Sequence, residues 1–210
     1  MGPCKPWPEK SPHYIEGILE HGFYDYTTDP VLIDAFWFSF PDASIGMRLG
    51  VWHLRSHGGG IRVLRVIAVD IESPEGHGVD GFAGLKELES KLGPLPRSWA
   101  NGTPSDGEHR LLTVPEGVEL TNLEGGNALA PGVELKAKGQ VLVPPSPGYL
   151  VKDRVRMAEL PGAWVDTWVE KSSSKKYRED VRGNKRRFGA RRPIGERVPE
   201  GGRLFSFTIR

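Results

Sequence analysis

The run Arg62 to Glu72, RVLRVIAVDIE, constrains the fold of this chain more than any other stretch. It is rich in β-branched residues (Val63, Val66, Ile67, Val69 and Ile71), and Gly58-Gly59-Gly60 breaks the chain just before it. That pattern predicts a buried strand, not a helix. The strand ends on two carboxylates, Asp70 and Glu72. Side chains two apart on a strand share a face, with Cα atoms roughly 6.5 to 7 Å apart, so the pair can lean toward one point and share a cation. Without a cation the two anions would repel. Taken alone, the pair reads equally well as polar residues where a strand surfaces.

A chain of 210 residues is long enough for one domain with an appendage and a core that needs no covalent staples. Cys4 is the only cysteine, which excludes an intramolecular disulfide and a thiolate zinc cluster. The 27 glycines and 18 prolines argue for many turns and short strands over a helical bundle. No apolar run reaches the ~18 residues of a membrane span, and MGPCKPWPEKSP is too polar and proline-rich for a signal peptide. A soluble, intracellular protein with no membrane partner is expected.

The net charge of +1 conceals a division. Residues 171–197 hold eleven Lys/Arg against three Asp/Glu, whereas residues 1–170 hold 15 against 23. The body is acidic and the far end basic, which fits a nucleic-acid-facing appendage beside a cation-binding body.

Along the chain, Thr28-Asp29-Pro30 before VLIDAFWFSF predicts a helix capped by Thr28 or Asp29, started by Pro30 and stopped by Pro41. Its aromatics Phe36, Trp37 and Phe40 are expected in the core. DASIGMRLG reads as a turn feeding a short strand, and His53 with His57 as residues of a surface loop. SPEGHGVDG reads as a loop; Phe82, Leu85, Leu88 and Leu92 then mark an amphipathic helix ended by Gly93. A turn-rich WANGTPSDG leads into a strand from His109 to Val114. Residues 117–131 read as loop, and GVELKAKGQVLVPPS as a β-hairpin of Val133–Lys136 and Val141–Val143 turning at Lys138-Gly139. The basic stretch from Glu170 reads as a solvated linker or arm.

Taken together, YDYTTDPVLIDAFWFSFPDASIGMRLG, VIAVDIE, TPSDGEH and GVELKAKGQVLVPPS resemble, in that order, the N-terminal domain of the bifunctional DNA primase/polymerases (prim-pol) of phages and plasmids, in the archaeo-eukaryotic primase superfamily. The resemblance covers roughly residues 22–150. It implies an α+β fold: a mixed or antiparallel sheet with flanking helices and an RRM-like catalytic core, N-terminally reduced here. The expected division is a catalytic domain at 1–165, a basic linker or arm at 166–193, and at 194–210 the start of a helical primase-associated domain.

Carried over residue by residue, the resemblance makes Asp70, Glu72 and Glu134 the catalytic, metal-binding carboxylates, with Mg2+ or Mn2+ as cofactor. It makes His109, Ser105 and Lys136 contacts to the incoming nucleotide, and Arg48 can add charge there. Asp106 stands where the family usually has Gly, Glu134 for the commoner Asp and Lys136 for the commoner Arg. Lys175, Lys176, Arg186 and Arg187 of the basic stretch are the candidate DNA contacts.

The implied activity is template-directed nucleotidyl transfer on single-stranded DNA during phage or plasmid replication, with nucleoside triphosphates as substrates. A replicative helicase in cis or trans is the expected partner, and the cytoplasm of a bacterium or phage-infected host the expected compartment. Two other readings compete. Paired carboxylates also serve metal-dependent phosphodiesterases, and a catalytically silent replication accessory would need only the acidic scaffold and the basic end.

Overall fold

The computed structural model describes residues 2–4, 12–16, 19–55, 60–115 and 117–184. Among the described residues there are nine strands, in chain order β1 (Gly2–Cys4), β2 (Ser44–Arg48), β3 (Gly50–Arg55), β4 (Ile61–Ile71), β5 (Ala100–Gly102), β6 (Glu108–Val114), β7 (Val133–Lys136), β8 (Gln140–Val143) and β9 (Leu150–Asp153). The helices are α1 (Pro30–Ser39), α2 (Pro74–His77), α3 (Gly81–Leu92) and α4 (Gly162–Asn184).

The predicted central strand is β4, at eleven residues the longest of the nine. It is antiparallel to β6 along one edge, from Arg65↔Val114 to Ile71↔Glu108. The other edge is shared end to end: β3 pairs with Ile61–Val66 and β7 with Ala68–Ile71. β5 and then β9 extend the sheet beyond β6. A second sheet, β1-β2-β8, is also antiparallel.

Both faces of β4 are covered, which is why its apolar run does not alternate with polar residues. Ile67, Val69 and Ile71 face a core with Leu112, Val133 and Leu135, closed by Leu85 and Leu88 of α3 and by Trp164 and Trp168 of α4. Val66 and Ala68 face the other way, onto Leu111 and onto Met47, Leu49 and Val141 from and beside the small sheet. Each fully buried aliphatic side chain of this kind contributes about 1.5–3 kcal/mol. The molecule is thus an α+β layering of antiparallel sheets with helices on the outside, the architecture expected of a primase-like core.

Several local expectations hold. Asp29 caps α1, its Oδ1 accepting from Val31 N at 2.9 Å, with Pro30 in the first turn. α3 ends at Gly93 as expected, with a φ of +84° that favours glycine; its N-cap, not anticipated, is Asp80, which accepts from Ala83 N.

Other expectations are corrected. β7 and β8 do not form a hairpin: β7 pairs with β4 and β8 with β2, so Lys138-Gly139 carries the chain from one sheet to the other. The loop expected at SPEGHGVDG contains the one-turn helix α2, with Ser73 accepting from Gly76 N. His53 lies in β3, not in a loop, while His57 falls outside the described residues. Of the α1 aromatics only Phe36 is buried; Trp37 and Phe40 are half-buried, Phe40 stacked on His13 at 4.3 Å.

The far end differs in character from a solvated linker. α4 spans Gly162–Asn184, so the stretch from Glu170 opens in a helix. Trp164 Nε1 donates to Gly93 O at 2.9 Å, Trp168 Nε1 to Thr121 O at 2.7 Å, and both indoles are fully buried. Ser172 is buried as well, so the packed body runs past residue 165. Residues 185–210, with Arg186, Arg187 and the expected start of a further domain, lie outside the described residues.

Candidate active site

The register of β4 decides where its carboxylates go. Asp70 stands opposite His109 on β6 and opposite Glu134 on β7. Directly opposed residues of antiparallel strands share a face, so all three side chains project from the same side as Ala68. Glu72 continues that side because its backbone stays tied: Glu72 N donates to Gly132 O at 2.8 Å, and Gly81 N donates to Glu72 O at 2.9 Å. This closeness requires glycine. A Cβ on Gly81 would lie 2.2 Å from Gly132 O, and Gly132 itself has a φ of +68°.

The result is one acidic group. Oxygens of Asp70, Glu72 and Glu134 lie within 4.8 Å of one another, Asp70 buried and the other two half-buried. Burial, and next the Asp70 charge, push the Glu72 carboxyl above its ordinary value. Glu134 is braced from behind, its Oε1 accepting from Gly125 N at 2.7 Å.

Cationic and polar side chains ring the group. Lys136 Nζ lies 3.0 Å from Asp70 Oδ2 and 3.3 Å from Glu134 Oε2. Burial depresses its pKa, but the Asp70 and Glu134 charges outweigh that and raise it above the usual lysine value. His109 Nε2 lies 3.4 Å from Asp70 Oδ1. The structure therefore brings Asp70, Glu72, Glu134, His109 and Lys136 together.

Ser105 sits one step away, its hydroxyl 3.5 Å from Thr103 Oγ1 and its carbonyl accepting from Ser73 Oγ. Arg48 is not brought to the group. Alternation on β2 turns it to the face opposite Met47, where its guanidinium lies 4.7 Å from the centre of the Tyr26 ring. Lys175 and Lys176 belong to the α4 backbone.

Two further residues come into the site that sequence reasoning did not single out. His77, at the end of α2, places Nε2 3.2 Å from Glu72 Oε2. Its signal was the Ser73-Pro74 helix start, a cap followed by Pro that turns the chain back toward the strand it has just left. Tyr149 is buried with its ring centre 6.0 Å from that of His109, and burial and then Asp70 push its phenol up to about 12. No local pattern marks it, since it follows the Pro-Pro-Ser segment and reaches the site only through the fold.

Three convergent carboxylates make an all-oxygen, hard donor set of the kind that suits Mg2+ or Mn2+, and crowded anions of which one already resists ionisation are relieved by a dication. The group could therefore hold a metal ion. The family described as bifunctional DNA primase/polymerase, N-terminal (Prim-Pol), matches residues 3–163, well over half of the chain. The chain belongs to this family. Membership brings a DNA primase/polymerase-type function in replication, a nucleotidyltransferase-type enzyme, and DNA and nucleotides as substrates. A comparison with curated proteins finds no match. Among the described residues, no helix is long and apolar enough to cross a membrane.

Proposed function

We propose that this Prim-Pol chain adds nucleotides to a growing strand on a single-stranded DNA template, with two divalent ions, Mg2+ or Mn2+, held by Asp70, Glu72 and Glu134. The observation that carries this reading is the convergence of three carboxylates from β4, its end and β7 within 4.8 Å, on one face, beside His109 and Lys136. Two bound divalent ions would steady the charge on the attacking and leaving oxygens.

The chain's own groups do the positioning, which is most of the catalytic work in phosphoryl and nucleotidyl chemistry. Asp70 is fixed between two paired strands, so its oxygens have little freedom to lose on binding. His109, on the neighbouring strand, is placed to hold the polyphosphate, with Lys136 supplying positive charge. Ser105 holds the turn that delivers His109 to β6, through its bond from Ser73. None of these side chains needs to abstract a proton.

The template is held by backbone contacts from basic residues, among them Lys175, Lys176, Arg186 and Arg187, with little sequence preference. The setting is phage or plasmid replication in the cytoplasm of a bacterial or infected cell, beside a helicase in cis or trans.

Extension of a labelled primer with Mg2+ or Mn2+ tests the reading, comparing wild type with the double variant Asp70→Ala plus Glu72→Ala. Template-directed extension that the variant abolishes is expected. Shortening of the primer would instead identify a metal-dependent phosphodiesterase. Salt-sensitive DNA binding without either activity, unchanged in the variant, would identify an accessory protein.

A further inference from the structure

The Lys136 side chain lies where it competes with a metal. Its Nζ is 3.0 Å from Asp70 Oδ2 and 3.3 Å from Glu134 Oε2, two of the three carboxylates that form the acidic group, and 3.9 Å from Glu124 Oε1. Only about a quarter of the side chain is exposed. A dication held by Asp70 and Glu134 would share these two carboxylates with the ammonium, and like charges competing for the same anions oppose each other.

We propose that Lys136 is a built-in place-holding cation: it neutralises Asp70 and Glu134 in the metal-free protein, is displaced as the metal enters, and is thereby released toward the nucleotide's polyphosphate. This inference rests on the metal-centre reading above and names the side chain that controls loading. Nothing covalent changes; one cation replaces another on the same oxygens.

The residue type fits the role. Lysine is a compact point charge on a flexible four-carbon stem, held here by single contacts to each carboxylate, whereas the planar arginine fork would grip a carboxylate bidentately and release it less readily. The stem also begins on the right strand. Lys136 stands opposite Ala68, one face-sharing step from the Asp70↔Glu134 pair, so its four-carbon stem reaches the shared oxygens from the same face of the sheet.

Mn2+ affinity decides it, measured on the full chain by the loss of the free-ion electron paramagnetic resonance signal, without nucleotide or DNA. Lys136→Met should bind Mn2+ roughly tenfold tighter than wild type, because a competing positive charge has been removed from the site. A side chain that merely supported the fold or aided metal binding would, when truncated, leave affinity unchanged or weakened, and either result overturns the inference.

Should Lys136→Met not fold, Lys136→Arg carries the same test: weaker Mn2+ binding than wild type supports displacement, and equal or tighter binding refutes it. Asp70→Asn separates the two levels of argument. If wild type binds Mn2+ and Asp70→Asn does not, a failure in the Lys136 variants belongs to this inference alone. If wild type takes up no Mn2+, or Asp70→Asn binds it equally well, the metal-centre reading and this inference fall together.

Discussion

Asp106 shows how one residue's backbone bears on the site. It has a φ of +60°, the left-handed region in which non-glycine residues lose roughly 1 kcal/mol and Asp and Asn are better tolerated than most. The same residue follows Ser105 in the turn that delivers His109. Asp106→Gly should therefore raise the melting temperature by about 2–4 °C, the shift expected of ~1 kcal/mol in a chain of this size, read by calorimetry. Glu72 makes a second prediction. Its folded pKa lies above its ordinary value, through burial first and Asp70 next, so as an anion it opposes folding. In chelator, Glu72→Gln should melt higher than wild type at pH 7–8. The gap should narrow as the pH falls through the raised folded pKa toward the ordinary carboxylate range, because wild-type Glu72 then takes up a proton and becomes neutral too. These features differ in how far the sequence exposes them. Asp70 and Glu72 announce themselves at the end of an apolar run, and TPSDGEH and GVELK place His109 and Glu134 by resemblance. The contacts of Lys136 with Asp70 and of Tyr149 with His109 depend on strand pairing across long separations, and no local pattern encodes that pairing.

At the scale of elements, the β7–β8 segment marks where sequence patterning stops being decisive. Two short strands around Lys138-Gly139 have the same local chemistry whether the chain turns back on itself or crosses to another sheet. The choice is made by β4, which offers β7 an open edge at Ala68–Ile71, and by β2, which offers one to β8. The helices divide likewise. α1 is legible from its cap and its bounding prolines and α3 from its helical apolar spacing and terminal glycine, whereas α4 is polar beyond its first turns and reads as a linker. The two tryptophans at its start, with buried Ser172, dock it on the body. That docking makes a firm prediction. Trp168→Ala leaves a large hole and orphans Thr121 O, so it should cost about 3–5 kcal/mol in chemical denaturation. A chain ending at residue 165, which loses Trp168 and the rest of α4, should lose comparable stability.

For the whole molecule, the proposed function asks an acidic body and a basic far end to act on a polyanionic template together. The acidic residues that would otherwise repel DNA include the three gathered at the site, where bound cations would mask them. On that proposal, template affinity comes from the basic residues and should weaken steeply between about 50 and 200 mM salt, measured by fluorescence anisotropy with an oligo-dT strand. Replacing Lys175, Lys176, Arg186 and Arg187 together by Ala should flatten that dependence. The most direct measurement of the central claim uses Glu134, the carboxylate that reaches the site from a separate strand. Glu134→Gln is nearly isosteric and can still accept from Gly125 N, so the fold should melt as wild type does in chelator. Metal-dependent primer extension by this folded variant is predicted to fall by roughly 100-fold or more; extension at the wild-type rate would contradict the account.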